Sequence, residues 1–204
     1  MPTFRKLTDG FGLETSDVDL PEIIGTPAFG DLEQALYRGQ VLAIRGQKLT
    51  PAQFVAFARK FGWPEPHVID QFHHADFPEI LILSNVKQGG QPIGLADGGT
   101  YWHTDYSYLA DAAKATTLYS IQVPQRGGHT LFANMRAAYD DLPAAMKQRI
   151  DALVTLNLYG NRDDLDLASR TAASTLNGEQ WKKMALVKHP LVRAHPVTGQ
   201  KALY

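Results

Sequence analysis

The apolar positions in the first quarter of the chain predict a helix followed by a short strand. Over residues 31–38 the apolar side chains fall on one helical face, and Gly39 ends the run. The apolar segment 41–44 comes next and is typical of a buried strand.

A second helix is predicted from its N-terminal residues. Thr50 can cap the helix, Pro51 suits the first helical position, and Gln53 completes a capping box. Aromatic and small residues then recur at helical spacing as far as Phe61, and Gly62 is typical of a helix end.

Further along, the pattern changes to short strand-like runs separated by turns. The predicted strands are 79–86, 101–109, 115–123 and 130–134. A helix with Met146, Ile150 and Leu153 on one face follows them. The segment 191–204 predicts a hairpin that turns near Gly199.

The remaining segments have the composition of loops, and they are 63–78, the Gly-rich 87–99 and the polar excursion 161–174. Strands that follow an initial helical part predict an α+β fold, which we interpret as a β-sandwich or jelly roll with helices packed outside. The last strand reaches Tyr204 with no further strand to complete a sheet. We therefore expect this fold to be unfinished.

Composition and charge indicate which classes of protein the chain can belong to. The 204 residues suit one domain, and 44% apolar and 20% charged residues are ordinary for a globular protein. The net charge of -1 without a basic block gives no sign of a nucleic-acid partner. The absence of apolar leader and membrane-length segments predicts a cytoplasmic protein without a membrane partner.

The absence of cysteine excludes disulfides, thiolate zinc sites and a cysteine nucleophile. Any metal must therefore be held by His, Asp or Glu. The stretch YWHTDYSYL (101–109) places His103 and Asp105 among aromatic residues. In a strand, residues two apart project from the same face, so both side chains could reach one ion. A buried ion pair or a hydrogen bond at a strand end is the alternative.

The His-x-Asp spacing alone is weak evidence, because the chain contains it twice. His74 and Asp76 form the other pair, which lies in a predicted loop and is interpreted as solvated. His and carboxylate donors suit Fe(II), Mn or Zn, and a catalytic site needs a third ligand. His189 and His195 are candidates for it, although either could be a core or surface histidine.

Three segments together resemble the TauD/TfdA family of Fe(II)- and 2-oxoglutarate-dependent dioxygenases. They are WHTD, VPQRGGHTLFANMRAAYDDLP (123–143) and HPLVRAHPVTGQKALY (189–204). The segment RGQKLTPAQFVAFARKFG (45–62) fits the N-terminal part of the same family. The resemblance covers nearly the whole chain, and the Gly-Gly-x-Thr-x-Phe-Ala-x-Met motif is far more specific than His-x-Asp.

The resemblance implies a double-stranded β-helix, or jelly-roll, core with flanking helices. His103 and Asp105 would be iron ligands, and Thr130 would bind the distal carboxylate of the cosubstrate 2-oxoglutarate. Trp102 and Tyr106 would lie beside the substrate, with packing as their alternative role. The implied reaction uses O2 to oxidise a C–H bond of a small anionic substrate, with succinate and CO2 as co-products.

The chain departs from the family at its C-terminal end. Family members continue well past the equivalent of Tyr204, and their second metal His and the arginine that pairs with 2-oxoglutarate lie in that part. His189 and His195 align with a segment that does not ligate metal, so they are withdrawn as candidates. We expect one dioxygenase domain over 1–204, truncated relative to the family and inactive if the protein truly ends at Tyr204.

Substrate identity is the least specified property. His67 matches a position that contacts the sulfonate in taurine-type members, whereas Asp70 replaces the aromatic partner expected there and would repel a sulfonate. The segment 132–143 is closer to the branch that oxidises aryloxyalkanoates. Sulfonates and aryloxyalkanoates are both kept as substrate classes, and homo-oligomerisation is left open.

Two other functions compete with this one. A cupin-like isomerase or hydrolase would use a metal without 2-oxoglutarate. A degenerate jelly-roll domain that has lost its ligands would bind without catalysis.

Overall fold

The computed structural model describes residues 1–96, 98–99, 101–159, 176–182 and 184–204. The predicted polar excursion 161–174 lies outside the described residues. The chain divides into two compact units. The first unit comprises Met1–Lys60, Thr117–Leu153 and Pro190–Tyr204, and the second comprises Phe61–Thr116 and Val154–His189.

The described residues form short helices and strands, so the fold is mixed α and β. The helices are α1 (Leu20–Ile23), α2 (Ala28–Gly39), α3 (Pro51–Ala58), α4 (Met135–Asp140), α5 (Ala144–Ile150) and α6 (Gly178–Lys182). The strands are β1 (Arg5–Lys6), β2 (Leu13–Thr15), β3 (Leu42–Ile44), β4 (His73–His74), β5 (Phe77–Leu81), β6 (Lys87–Gln88), β7 (Gln91–Pro92), β8 (Val154–Asn157), β9 (Val187–Pro190), β10 (Val192–Ala194) and β11 (Lys201–Leu203). Every helix in this described part is too short or too polar to cross a bilayer.

In the first unit, a three-stranded sheet adjoins helix α2. β2 pairs antiparallel with β1 and parallel with β3. The predicted apolar face of α2 is confirmed, because Leu32 and Ala35 are fully buried. Phe29 of α2 meets Phe57 of α3 edge to face, with ring centroids 6.2 Å apart. Burial of these apolar side chains holds the sheet and the two helices together.

The predicted start of α3 is confirmed in detail. The backbone N–H of Gln53 donates to the Thr50 hydroxyl, and the Gln53 side chain accepts from the Thr50 backbone, which completes the capping box. The helix ends at Ala58, however, before the Phe61 and Gly62 that the pattern suggested.

The C-terminal hairpin is also confirmed. β10 and β11 pair antiparallel from Val192 opposite Leu203 to Ala194 opposite Lys201. Gly199 has φ +70°, a left-handed conformation that favours glycine, so the turn lies where the sequence predicts it.

The strand predictions for 115–123 and 130–134 are wrong. Both segments are irregular, and most of their side chains are exposed. A strand needs a neighbour to satisfy its backbone hydrogen bonds, and no sheet among the described residues includes either segment. Helix α4, in contrast, forms where the pattern analysis predicted no element.

The second unit is built from three strand pairs and helix α6. β4 pairs with β5, β6 with β7, and β8 with β9. The predicted strand 79–86 is therefore partly confirmed by β5, and the predicted loops 63–78 and 87–99 contain β4 and the β6–β7 hairpin. Ile69 is fully buried, and Gln180 of α6 donates from Nε2 to the Val68 carbonyl at 3.0 Å. These contacts order the segment that carries His67.

Candidate metal centre

The aromatic stretch 101–109 is not the strand that the alternation predicts. Residues 102–104 are irregular, and a turn follows from Asp105 to Tyr108. Tyr106 adopts φ +58°, which ends any extended conformation and is unusual for an aromatic residue. The prediction that His103 and Asp105 project from one face of a strand is therefore wrong. The turn that begins at Asp105 brings the two side chains together instead.

The two predicted ligands do converge. His103 Nε2 lies 3.1 Å from Asp105 Oδ1, and the two side chains are 40% and 42% exposed. Metal–nitrogen and metal–oxygen bonds of about 2.1 Å at a right angle would put two donor atoms about 3.0 Å apart. The observed spacing therefore fits two adjacent ligands of one ion.

The tautomer of His103 supports the same use. Its Nδ1 lies 2.8 Å from the Tyr101 carbonyl oxygen, which can only accept, so Nδ1 carries the proton. In the neutral ring, Nε2 then presents a lone pair toward the Asp105 carboxylate. Either a cation binds both donors, or the ring is protonated and forms an ion pair. A backbone carbonyl that fixes the ring of a metal-binding histidine is a common arrangement.

The Asp105 carboxylate has a second neighbour on its other oxygen. The Thr116 hydroxyl donates to Asp105 Oδ2 at 2.9 Å. The carboxylate therefore directs Oδ1 toward His103 and Oδ2 toward Thr116. The sequence contained no signal for this contact, because Thr116 is eleven residues away and belonged to a separate predicted strand.

No third protein ligand accompanies this pair among the described residues, where no group of three His, Asp or Glu side chains could hold a metal. His189 is buried, and its Nε2 lies 2.9 Å from the carbonyls of Ser107 and Leu109. In the first unit, His195 Nδ1 accepts from the backbone N–H groups of Val197 and Thr198. The rings of both histidines therefore contact backbone groups.

The other His-x-Asp pair has only a local contact. His74 Nδ1 accepts from the backbone N–H of Asp76 at 3.2 Å, and Asp76 is exposed. His74 itself lies in strand β4, is half-buried and has its ring 5.5 Å from that of Phe77, so the predicted solvated loop is wrong for His74 and fits only the exposed Asp76. His74 still serves as a control for His103.

Four rings form an aromatic cluster in the second unit, and its members are His67, Tyr106, Tyr108 and Tyr159. The His67 ring contacts those of Tyr106 and Tyr159 at centroid distances of 6.0 and 5.5 Å. Tyr108 stacks on Tyr106 at 5.7 Å and meets Tyr159 edge to face at 4.8 Å. The structure thus brings together the predicted His67 and Tyr106. It adds Tyr108 and Tyr159, which sequence reasoning missed.

The aromatic cluster is uncharged at neutral pH. Burial lowers the pKa of the His67 imidazole, and the Asp105 carboxylate partly opposes that shift. Burial also raises the pKa of the Tyr106 hydroxyl to about 12, with Asp105 adding to the effect. The pKa values of Tyr108 and Tyr159 rise for the same main reason. An apolar surface with neutral hydroxyl groups therefore lies near the Asp105 carboxylate.

Two further site residues were predicted, Trp102 and Thr130. The Trp102 residue is 68% exposed and makes no ring contact among the described residues. Thr130 lies in an exposed irregular segment of the first unit. Their roles in binding substrate and 2-oxoglutarate stay predictions.

Comparison with known proteins identifies the family. The family model described as taurine catabolism dioxygenase TauD, TfdA family, matches residues 3–204. The chain is 31% identical to an alpha-ketoglutarate-dependent 2,4-dichlorophenoxyacetate dioxygenase of Cupriavidus pinatubonensis, over 95% of the chain and 69% of that protein. It is 29% identical to an alkylsulfatase of Acinetobacter baylyi, over 98% of the chain and 61% of that protein.

A solved structure supports the same assignment. The crystal structure of AAD-2 in complex with Mn(II) and N-oxalylglycine matches with a TM-score of 0.69 and 28% identity, over the whole chain and 69% of that protein. The chain spans between 60% and 69% of the length of three curated relatives that it matches. With a family model that covers nearly every residue, the chain belongs to the TauD/TfdA family of dioxygenases.

Proposed function

We propose that the protein is an Fe(II)- and 2-oxoglutarate-dependent dioxygenase that oxidises a C–H bond of a small anionic organic substrate. The observation that carries this proposal is the 3.1 Å approach of His103 Nε2 and Asp105 Oδ1 within a chain of this family. Two of the relatives it matches are named an alpha-ketoglutarate-dependent 2,4-dichlorophenoxyacetate dioxygenase and an alkylsulfatase. A jelly-roll core is proposed on the same family ground.

His103 and Asp105 would hold the metal, and a third ligand, a His, is proposed to follow Tyr204. The ligand set of His and carboxylate without thiolate suits Fe(II), and the Mn(II) bound in AAD-2 is an ion of the same preference. When bound, the iron with 2-oxoglutarate and O2 would supply the oxidising power for the C–H bond, with succinate and CO2 as co-products.

Two residues are proposed to bind 2-oxoglutarate. Thr130 is proposed to donate a hydrogen bond to its distal carboxylate, and an arginine past Tyr204 is proposed to pair with the same group. N-Oxalylglycine, the molecule bound in AAD-2, has the 2-oxoglutarate skeleton with an NH in place of one CH2. This likeness supports 2-oxoglutarate as the cosubstrate.

The chain's own aromatic residues would receive the substrate. The aromatic cluster is proposed to contribute ring faces, and Trp102 adds an exposed ring at the residue before His103. Ring faces of this kind would favour an aromatic substrate over a compact zwitterion such as taurine. Asp70 Oδ1 accepts from Gln180 Nε2 at 3.2 Å and would add a negative charge where a sulfonate is bound in taurine-type members. An aryloxyalkanoate is therefore the favoured substrate class, with sulfonates second.

Succinate formation tests the function. The full-length protein would be supplied with Fe(II), ascorbate, O2 and 2-oxoglutarate, together with an aryloxyacetate, taurine or an alkyl sulfate. We expect succinate in proportion to oxidised aryloxyacetate, and less with the other two. Turnover that needs metal but not 2-oxoglutarate would favour the cupin-like alternative, and metal binding without any turnover would favour the degenerate domain.

Three further properties remain predictions. They are the single dioxygenase domain over 1–204, the cytoplasmic location and any homo-oligomeric assembly.

A further inference from the structure

The hydroxyl group of Thr116 lies against the Asp105 oxygen that faces away from His103. Thr116 Oγ1 donates to Asp105 Oδ2 at 2.9 Å, while Asp105 Oδ1 is the atom 3.1 Å from His103 Nε2. Rotation about a single side-chain torsion exchanges the two oxygens of a carboxylate. Holding Oδ2 therefore also fixes the direction of Oδ1.

A carboxylate can bind a metal through one oxygen or through both. Binding through both would require Oδ2 to turn toward the ion and to give up the Thr116 hydroxyl. Each carboxylate oxygen that binds also occupies a coordination position, and this type of site depends on open positions. A hydrogen bond to Oδ2 thus acts on both the orientation of the ligand and the number of positions it fills.

We propose that Thr116 is a positioning residue that keeps Asp105 a one-oxygen ligand, with Oδ1 toward the metal. This inference rests on the proposed function, since it assumes that His103 and Asp105 hold a metal ion. Tyr101 has the corresponding role for His103, because its backbone carbonyl holds Nδ1 at 2.8 Å. Each ligand then has one partner that turns its donor atom toward the same point.

A purely structural role for the hydroxyl makes a different prediction. The Asp105 side chain is 42% exposed and Thr116 is also exposed, so water can replace the hydrogen bond when the hydroxyl is removed. Loss of the hydroxyl should then change stability little. Metal affinity is the quantity that distinguishes positioning from local stabilisation.

The test is calorimetric titration of Mn(II) into the full-length protein without 2-oxoglutarate. Thr116→Val removes the hydroxyl at nearly constant volume, Thr116→Ser keeps it, and Thr117→Val is the matched control. The Thr117 hydroxyl makes no hydrogen bond among the described residues. We expect Thr116→Val to weaken Mn(II) binding by about tenfold or more, the usual effect of losing such a partner. Thr116→Ser and Thr117→Val should bind as the wild type does.

Visible absorption of the Co(II)-loaded proteins gives a second readout. Thr116→Val should alter the Co(II) bands at saturation if Asp105 changes from one bound oxygen to two, and Thr116→Ser should restore them. If Thr116→Val does not fold, Thr116→Ala is to be compared with Thr116→Ser in the same titration.

The outcomes distinguish the positioning role of Thr116 from the proposed function. Equal Mn(II) affinity in the wild type and in Thr116→Val would overturn the positioning role and leave the proposed function intact. Failure of the wild type to bind Mn(II) would overturn both. Weak binding by Thr116→Ser would also contradict the inference, because its hydroxyl is retained.

Discussion

At the scale of single residues, the candidate centre depends on side chains whose donor atoms are fixed by neighbours. His103 is oriented by the Tyr101 carbonyl, and Asp105 by the Thr116 hydroxyl. The residue types and their spacing singled out His103 and Asp105 as candidates, and the family motifs were needed to prefer them as metal ligands. Thr116 could not be predicted, because its contact depends on a loop path that no local pattern encodes.

Burial of His67 predicts a dependence of stability on pH. The folded state lowers the pKa of His67 below its usual 6.5, so above that value the ring is neutral in both states and contributes nothing. As the pH falls below 6.5, the unfolded chain takes up a proton that the folded chain resists. The free energy of unfolding should then decrease.

Chemical denaturation between pH 5 and pH 7.5 measures this effect, with those limits chosen as about 1 unit or more around the usual histidine value. We expect His67→Gln to show a smaller loss of stability at acid pH than the wild type. His129→Gln, at an exposed position outside the aromatic cluster, provides the control for the exchange of histidine for glutamine. An unchanged profile in His67→Gln would show that burial does not suppress protonation of His67.

At the scale of elements, local signals succeeded where helix α3 begins and where the C-terminal hairpin turns. Thr50, Pro51 and Gln53 form the predicted capping box, and Gly199 lies in the predicted hairpin turn. These devices depend on residues within one turn of each other, so the sequence contains all the information. The strand predicted over 101–109 does not form, because Tyr106 adopts a left-handed backbone conformation that interrupts the extended chain.

Two glycines of helix α2 give a matched prediction. A Cβ at Gly39 would lie 2.9 Å from Leu13 Cγ and 3.2 Å from its backbone nitrogen, whereas a Cβ at Gly30 would meet nothing within 4 Å. We expect Gly39→Ala to destabilise the protein by about 1–3 kcal/mol through overpacking. Gly30→Ala should stabilise it by up to about 1 kcal/mol. Urea unfolding measures both, and equal effects would contradict the packing of Leu13 on α2.

At the scale of the whole molecule, the sequence pattern did not predict which distant segments pair as strands. The segments 115–123 and 130–134 have strand-like composition but no strand partner among the described residues. Ile121 and Leu131 are accordingly 90% and 71% exposed. The order of helices and strands predicted a β-sandwich or jelly roll, and the family motifs narrowed this to a jelly-roll core, since periodicity does not specify which segments pair. The family motifs also identified the family, whereas the His-x-Asp spacing alone was compatible with several kinds of site.

The most direct test of the central claim is anaerobic addition of Fe(II) and then 2-oxoglutarate to the full-length protein, with a visible spectrum recorded after each step. The account predicts a charge-transfer band that needs both additions, disappears in His103→Ala and persists in His74→Ala. A band of full intensity in His103→Ala, or none in the wild type, would contradict it.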